Sequence, residues 1–562
     1  MLPSVLPTLT QQKNDLERPL NVYTAQFLLT ADIQHDNVIA CRDYVLKNGS
    51  YINVPELHKS NERAIEVRQK GNELYLARKY QAALEKYNES ICWSETGSIH
   101  LGIGYANRSA VQFEQENYDI ALRDIKLAKL HNYPENLMPK LLRREVDCKD
   151  KCRNLNLNNQ QFRRIAVKLP AAGIRMEQLP GYGRSMVADR NFSPGDVILE
   201  EKPLLSIVND EAKYWNCDYC SANNWHSLIP CPNCPSVMYC NQECLEKGWR
   251  FAHRFECGIS TKLHNLSLVA VRLGPRMFFY ALTLFEDNAE RMMDFCKTNA
   301  RDGSNPLNFN YASYDPIEEL KLFQKMHIPS DKRLSDGTLD TGIFQMLHAA
   351  VFFSVYMQHP LVKSIFTTEE KQIFMIHCIQ DYQKCINHLI MVPESFINYI
   401  YPVASICNHS CDPNTFFIKC SGQLKYIVNR PIAKGEQITI SYGPRFRVSS
   451  KFDNMKLMEI LHLHCICDVC NKHKLKKRLL KEELQPPVPL QHLGTIIGVV
   501  ENPNCNMAAK LTALTLLMYP YQPVRQNNEM KLGFSTVDDR LISLSLDLPP
   551  GTVRIDGLNI AD

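Results

Sequence analysis

Apolar positions along the chain change their period as it proceeds. In "RQKGNELYLARKYQAALEKYNESI", Gly71, Leu74, Tyr75, Tyr80, Ala83 and Leu84 fall at helix-face spacing, with a break near Arg78 and Lys79. The pattern returns in "YANRSAVQFEQENYDIALRDIKLAK", where Tyr118, Ala121 and Leu122 match Tyr80, Ala83 and Leu84. Small residues let two helices cross closely while aromatics fill the gaps beside them, so the pattern predicts two helix-turn-helix units. From about Val167 the texture shifts to short strands. "SMVADRNF" and "VILEEKPLLSIV" flank the turn "SPGD", and "QLKYIVNRPI" and "EQITISYG" flank "AKGE", two hairpin-like arrangements. A cysteine cluster and a helix-rich stretch from about Ser260 to Ile390 separate them. That order predicts one small strand-built domain interrupted by large insertions. Residues 1–60 show no clear period. Beyond Lys472, "LQHLGTIIGVV" and "MAAKLTALTLLMY" read as helix, and the closing "LPPGTVRIDGLNIAD" does not.

Composition narrows the class. A chain of 562 residues is long for one core, which predicts two to four domains. A net charge of +4 gives no strong electrostatic case for nucleic acid or membrane binding, and the basic run "KHKLKKRLLK" reads as a solvated helix face. The N-terminus lacks the charged start and apolar core of a secretory signal, and no apolar run reaches membrane-spanning length. The expectation is a soluble monomer of cytoplasm and nucleus. Twenty-one cysteines then have to be explained without disulfides, and spacing separates metal ligands from buried thiols.

"CDYCSANNWHSLIPCPNCPSVMYCNQECLEKGWRFAHRFEC" supplies Cys217, Cys220, Cys231, Cys234, Cys240, Cys244, His253 and Cys257 in four close pairs. Zinc takes four nitrogen or sulfur donors in a tetrahedron, and eight donors make two sites. A redox C-x2-C needs far fewer. Further on, "SICNHSCDPNT" puts Asn408, His409, Cys411 and Asp412 between the apolar "YIYPVA" and the strand-like "TFFIKC". Turn formers explain the loop but not Cys411. "HCICDVC" offers Cys465, Cys467 and Cys470, three thiolates where a closed site needs four, and Cys411 is the fourth. Zinc would then pin the loop against a segment about fifty residues later.

These motifs carry resemblances. The tandem helical units resemble tetratricopeptide repeats, which implies a concave face for an extended peptide or partner helix. The cysteine cluster resembles the MYND finger, which implies interleaved sites: Cys217, Cys220, Cys240 and Cys244 on one ion, and Cys231, Cys234, His253 and Cys257 on the other. "NHSCDPN", "GEQITISYG" and the C-x-C-x2-C segment resemble a SET domain, and a MYND finger inserted after its first strands marks the SET-and-MYND protein-lysine methyltransferases, here the subgroup with tetratricopeptide repeats. The resemblance implies an α+β fold: a 1–60 extension, repeats over 61–155, the SET N-terminal part over 165–215, the finger over 217–257, a helical insertion over 260–390, core SET over 391–446, a post-SET zinc cluster over 447–472, and a helical region over 473–562 that reads as shortened or truncated. It implies methyl transfer from S-adenosylmethionine to a lysine of a histone or other protein, with three zinc ions. Tyr442 takes the catalytic position. Tyr182, Gly183, Arg184, Asn387, Ser405, Ile406, Asn408 and His409 take cofactor-contacting positions. Leu461, His462 and Leu463 stand where the family usually presents aromatics. A rival reading of another class is an adaptor or corepressor that gathers protein partners through finger and repeats. Sequence-specific nucleic acid binding is not expected, because no base-reading helix is evident.

Overall fold

The computed structural model describes residues 38–48, 55–154, 173–266, 272–298, 317, 320, 341–387, 397–420, 423–442 and 465–467. An early helix, α1 (Val38–Asn48), lies within the stretch that shows no period. It sends Val38, Cys41 and Val45 into the main core, and Arg42 Nη2 reaches Glu369 at 2.8 Å.

The helical units follow as α2 (Asn61–Leu76), α3 (Tyr80–Trp93), α4 (Ile99–Glu114), α5 (Tyr118–Leu130) and α6 (Met138–Asn154). Ser60 caps α2 by accepting the Arg63 N–H at 3.1 Å. The two turns are built alike. Arg78 and Glu116 are left-handed at φ 57° and 61°, and the next N–H, of Lys79 or Asn117, reaches back to Leu74 or Gln112 at 2.9 Å. Gly71 sits where α2 crosses α3, and a Cβ there would lie 2.7 Å from the Tyr87 ring.

One face of this array is covered by the cysteine-rich segment. Asn88 Nδ2 donates to the Tyr214 and Trp225 carbonyls at 2.9 and 2.7 Å. Arg108, fully buried and forked on Asp124, donates to Asn88 Oδ1 and the Leu228 carbonyl at 2.7 Å each. Arg123 adds bonds to Ser227 Oγ and the Cys240 carbonyl. A buried ion pair of this kind is held by its extra hydrogen bonds, and here one comes from Asn88 of α3 and one from Leu228 of the cysteine-rich segment.

The strand domain departs from the expected hairpins. β1 (Ile174–Leu179) pairs antiparallel with β2 (Gly183–Ala188), whereas β3 (Val197–Glu201) joins β10 (Gln423–Val428), which also pairs with β9 (Thr415–Cys420). Neither "SPGD" nor "AKGE" joins its flanking strands to each other. The two turns instead exchange partners: Phe192 and Ile432 trade both backbone bonds, at 2.9 and 3.1 Å, Gly195 N–H donates to Val428 and Gly435 N–H to Ala188, each at 2.8 Å. Each turn closes on itself, with glycine left-handed at φ 93° or 87° and the next acid, Asp196 or Glu436, accepting the N–H of Ser193 or Ala433. Once closed internally, a turn leaves its outward backbone groups to be satisfied by the other.

β4 (Leu205–Val208) pairs antiparallel with β7 (Ile397–Ile400), Val208 opposite Ile397, and β8 (Asn408–His409) pairs parallel with β11 (Thr439–Ile440). Between β4 and β7 the chain makes the finger, with β5 (Ile229–Pro230), β6 (Met238–Tyr239) and α7 (Gln242–Gly248), and then α8 (Ser260–Leu266), α9 (Leu273–Leu284), α10 (Ala289–Thr298), α11 (Thr341–Tyr356) and α12 (Glu369–Asn387). Phe278, Phe279, Phe352 and Tyr356 from α9 and α11 are almost wholly buried and form the helical side of the main core, which continues into the strands at Met186, Leu199 and Tyr426. The expected helices beyond Lys472 lie outside the described residues.

Candidate active site and metal centres

The finger gathers Cys217, Cys220, Cys240 and Cys244 in one group and Cys231, Cys234, His253 and Cys257 in another, each with ligand atoms within 4.8 Å of one another. Cys220 Sγ lies 3.6 Å from Cys240 and 3.9 Å from Cys244, while His253 Nε2 lies 3.3 Å from both Cys231 and Cys234. A zinc tetrahedron with bonds of about 2.3 Å to sulfur has edges of about 3.8 Å, so the donor sets fit the metal in number, chemistry and spacing. Hydrogen bonds from Cys217, Cys240 and Cys244 hold the Cys220 thiol far below its ordinary range, and those from Cys234, Cys257 and His253 do the same for Cys231. The local order follows from short turns: Asn241 caps α7 through the Cys244 N–H at 2.9 Å, placing Cys244 in its first turn.

A third group brings His409, Cys411 and Cys465 together, with Cys467 packed beside Cys411. Cys470 lies outside the described residues. His409 Nε2 is 3.4 Å from Cys411 Sγ, and its Nδ1 accepts the Tyr442 N–H at 3.0 Å, so one ring touches both the sulfur cluster and the tyrosine. Burial lowers the His409 pKa to about 4 and keeps the ring neutral.

Beside this cluster the structure joins distant segments of the chain. Asn408 Nδ2 donates to the Arg184 carbonyl at 2.9 Å and to Ser185 Oγ at 2.8 Å, tying the β8 loop to the start of β2. Gly183 is left-handed at φ 70°, with open space where a Cβ would project, so a ligand can approach its backbone. Ile466 lies against neighbouring Gly181, where a Cβ would come within 2.5 Å of Cδ1, and so closes the Tyr182 turn from the third cluster's side. The Tyr442 phenol donates to the Cys407 carbonyl at 2.7 Å. Burial, reinforced by nearby Cys407, pushes its pKa up and keeps it protonated. Ser405 and Ile406 form the short 3-10 turn Ala404–Ile406 leading into β8. Asn387 ends α12, apart in sequence from the turn and the loop.

Two residues of this site escape a motif reading. Glu201, at the end of β3, accepts the N–H groups of Val403 and Ala404 at 2.8 and 2.7 Å, fixing the turn that carries Ser405 and Ile406. Asn414 accepts the Thr439 N–H at 2.8 Å and donates to the Gln437 carbonyl at 2.8 Å, so the loop after Cys411 is bolted to β11. The doubled acid in "LEEKP" and the last Asn of "NHSCDPN" are their only traces in sequence.

Residues 183–443 match the SET domain family, whose fold belongs to the S-adenosylmethionine-dependent methyltransferases. The chain is a SET-domain protein related at low identity to the SMYD-family methyltransferases. It is 24% identical over 533 residues to protein-lysine N-methyltransferase SMYD4 of Pongo abelii, covering 72% of this chain and 66% of that protein. It is 23% identical over 542 residues to its Homo sapiens counterpart, at 73% and 67%. Similarity to the Arabidopsis thaliana histone-lysine N-methyltransferase ASHR1 is 26% over 301 residues, at 53% and 54%. The chain thus spans about two thirds of the length of the SMYD4 proteins it matches. A solved SET domain of LSMT bound to lysine and AdoHcy matches at 13% identity over 48% of this chain and 49% of that one, with a TM-score of 0.21, too low to carry an argument. No helix among the described residues is long and apolar enough to cross a membrane.

Proposed function

We propose that the chain is a protein-lysine N-methyltransferase of the SMYD group with tetratricopeptide-like repeats, and that its finger and repeats engage protein partners. The observation that carries the reading is the Asn408 bridge to Arg184 and Ser185, which unites the two segments expected to hold S-adenosylmethionine. Tyr182, Gly183 and Arg184 form one wall, and Ser405, Ile406, Asn408 and the His409 backbone the other. When bound, the cofactor supplies a sulfonium methyl group to a lysine amine. Tyr442 orients that amine through its phenol oxygen, held by the Cys407 carbonyl, and an apolar surround favours the neutral amine that can act as nucleophile. Three zinc ions would sit on the finger's two donor sets and on Cys411, Cys465, Cys467 and Cys470. Their chemistry here is structural, because thiolate sets of this kind leave no open coordination position.

The test is calorimetric titration of the zinc-loaded chain with S-adenosylmethionine, beside Asn408→Ala. Micromolar-range binding that the variant loses supports the reading, and methyl transfer to protein substrate that falls about a hundredfold in Tyr442→Phe completes it. A folded, zinc-loaded chain that binds no cofactor sinks it.

A further inference from the structure

Where the strand domain, the finger and the helical insertion meet, they enclose a small polar cavity. Its charged walls come from the 3-10 turn Asp210–Ala212 after β4 and the following Lys213, from Asp218 of the finger, from His264 on α8, and from Arg272 and Arg276 at the start of α9. The space measures about 280 Å³ with its open mouth included, and its centre has room for about one water-sized sphere.

The two arginines differ in what they touch. Every nitrogen of Arg276 is engaged: Nε and Nη2 fork onto Glu256, and Nη1 reaches Asp218 and the Ser206 carbonyl. Arg272, one turn earlier and only 5% exposed, makes no hydrogen bond or ion pair among the described residues, and its Nε is sealed from water without a partner. Burial lowers its pKa, the mark of a guanidinium removed from water without full compensation. Lys213 is a second free cation. Half-buried, it stands 5.1 Å from the centre of the Tyr214 ring and has no carboxylate partner among the described residues.

The acids are already taken. Asp218 and Glu256 share Arg276, and Asp210 accepts the His264 Nδ1–H at 2.5 Å. Burial, and then Arg272, hold the His264 pKa below its ordinary value, so near neutral pH that bond brings Asp210 no charge. The cavity is therefore polarised. At one end Arg276 serves two carboxylates; at the other Arg272 and Lys213 both act on the single charge of Asp210. A water there accepts an N–H bond but leaves the buried guanidinium uncompensated. A monovalent anion completes that end, whereas a dianion, or an ion large enough to reach Asp218, meets like charge.

We propose that this cavity binds a small monovalent anion of the chloride class, held by the Arg272 guanidinium and the Lys213 ammonium. The ion compensates a charge buried where three parts of the chain meet, so its binding stabilises that junction. The inference is independent of methyl transfer, and either reading can fail without the other.

Chloride NMR line widths of the full zinc-loaded chain test it, in gluconate buffer of fixed ionic strength titrated with sodium chloride, beside thermal melts across the same series. Expected are broadening that saturates in the millimolar range, a melting temperature that rises with chloride, and displacement by bromide but not by equal sulfate. Lys213→Ala should raise the half-saturating chloride concentration at least about tenfold, the effect of removing one charge-assisted contact, and Arg272→Met should abolish both responses. Lys213 is partly exposed, so that variant keeps its fold and carries the decision if Arg272→Met melts early. No saturable broadening, melts indifferent to chloride, or an unchanged half-saturation in Lys213→Ala overturns the proposal. Displacement by sulfate at chloride's own concentration overturns it as well, in favour of a general anion-attracting surface.

Discussion

At the scale of single residues, the site is held by polar groups that reach across long stretches of chain. Glu201 accepts two backbone N–H groups just over 200 residues away. Glu201→Ala leaves both without an acceptor and is expected to cost about 3 kcal/mol in urea unfolding, with loss of cofactor affinity. Glu201→Gln keeps one acceptor oxygen and should lose less than half of that. Tyr442→Phe removes the bond to the Cys407 carbonyl while leaving the ring in place. Methyl transfer should fall about a hundredfold with S-adenosylmethionine affinity retained, since a small loss of alignment at a reacting centre has that size; single-turnover rates beside calorimetry separate the two. Sequence shows Asn408, Cys411 and Tyr442 because their neighbours form a compact motif. It hides Glu201, because an acid in a strand reads as a solvated position until the backbone it serves has been placed. His409 is half visible: the motif marks it as a cofactor residue, yet its ring spans Cys411 and the Tyr442 N–H.

Secondary elements were legible in proportion to how local their causes are. The repeats announce themselves because Gly71, Tyr80, Ala83 and their counterparts act within one hairpin, and the structure gives both turns the same left-handed residue and the same backward bond. Gly71→Ala should therefore destabilise the first unit by about 1–3 kcal/mol, since the new methyl collides with the Tyr87 ring; a thermal melt reads the loss. Strand pairing is not legible in the sequence, because "SPGD" and "AKGE" look like hairpin turns while their outward groups are satisfied by each other. α1 gives no period in the sequence because its apolar stripe is short, three residues that matter only against the main core. The finger's two donor sets are expected to supply much of its stability once metal fills them. Chelation should release zinc and remove hydrogen-exchange protection from 217–257, since so small a unit has little core of its own. It should also loosen α3–α5, whose Asn88, Arg108 and Arg123 bond to finger groups.

For the molecule as a whole, one guanidinium joins three bodies. Arg276 on α9 forks onto Glu256 at the end of the finger, at 3.0 and 2.6 Å, and reaches Asp218, between Cys217 and Cys220, at 3.2 Å and the Ser206 carbonyl of β4 at 3.4 Å. Burial alone would raise the Glu256 pKa, but Arg276 outweighs it and holds the carboxyl at about 2, against an ordinary 4.5. A carboxyl depressed in the folded state stabilises it above the unfolded pKa and loses that effect as pH falls. Stability from this contact, ~3 kcal/mol by the size of the shift, should be full at neutral pH and fade between about 4.5 and 2. Urea midpoints measured down that range should show a shallower acid slope in Glu256→Gln, and an unchanged slope would remove Glu256 from the account.

The antiparallel register that sets Val208 opposite Ile397 has a consequence for how such a chain came to exist. Residues directly across a ladder have Cα atoms only about 5 Å apart, so the finger and the helices leave the strand domain and re-enter it through a doorway no wider than a tight hairpin. Seen from the sheet, everything between those two residues is a hairpin loop of extravagant length. An ancestral loop at this place could be exchanged for whole modules of any size without moving a strand, provided each arrived with its ends side by side.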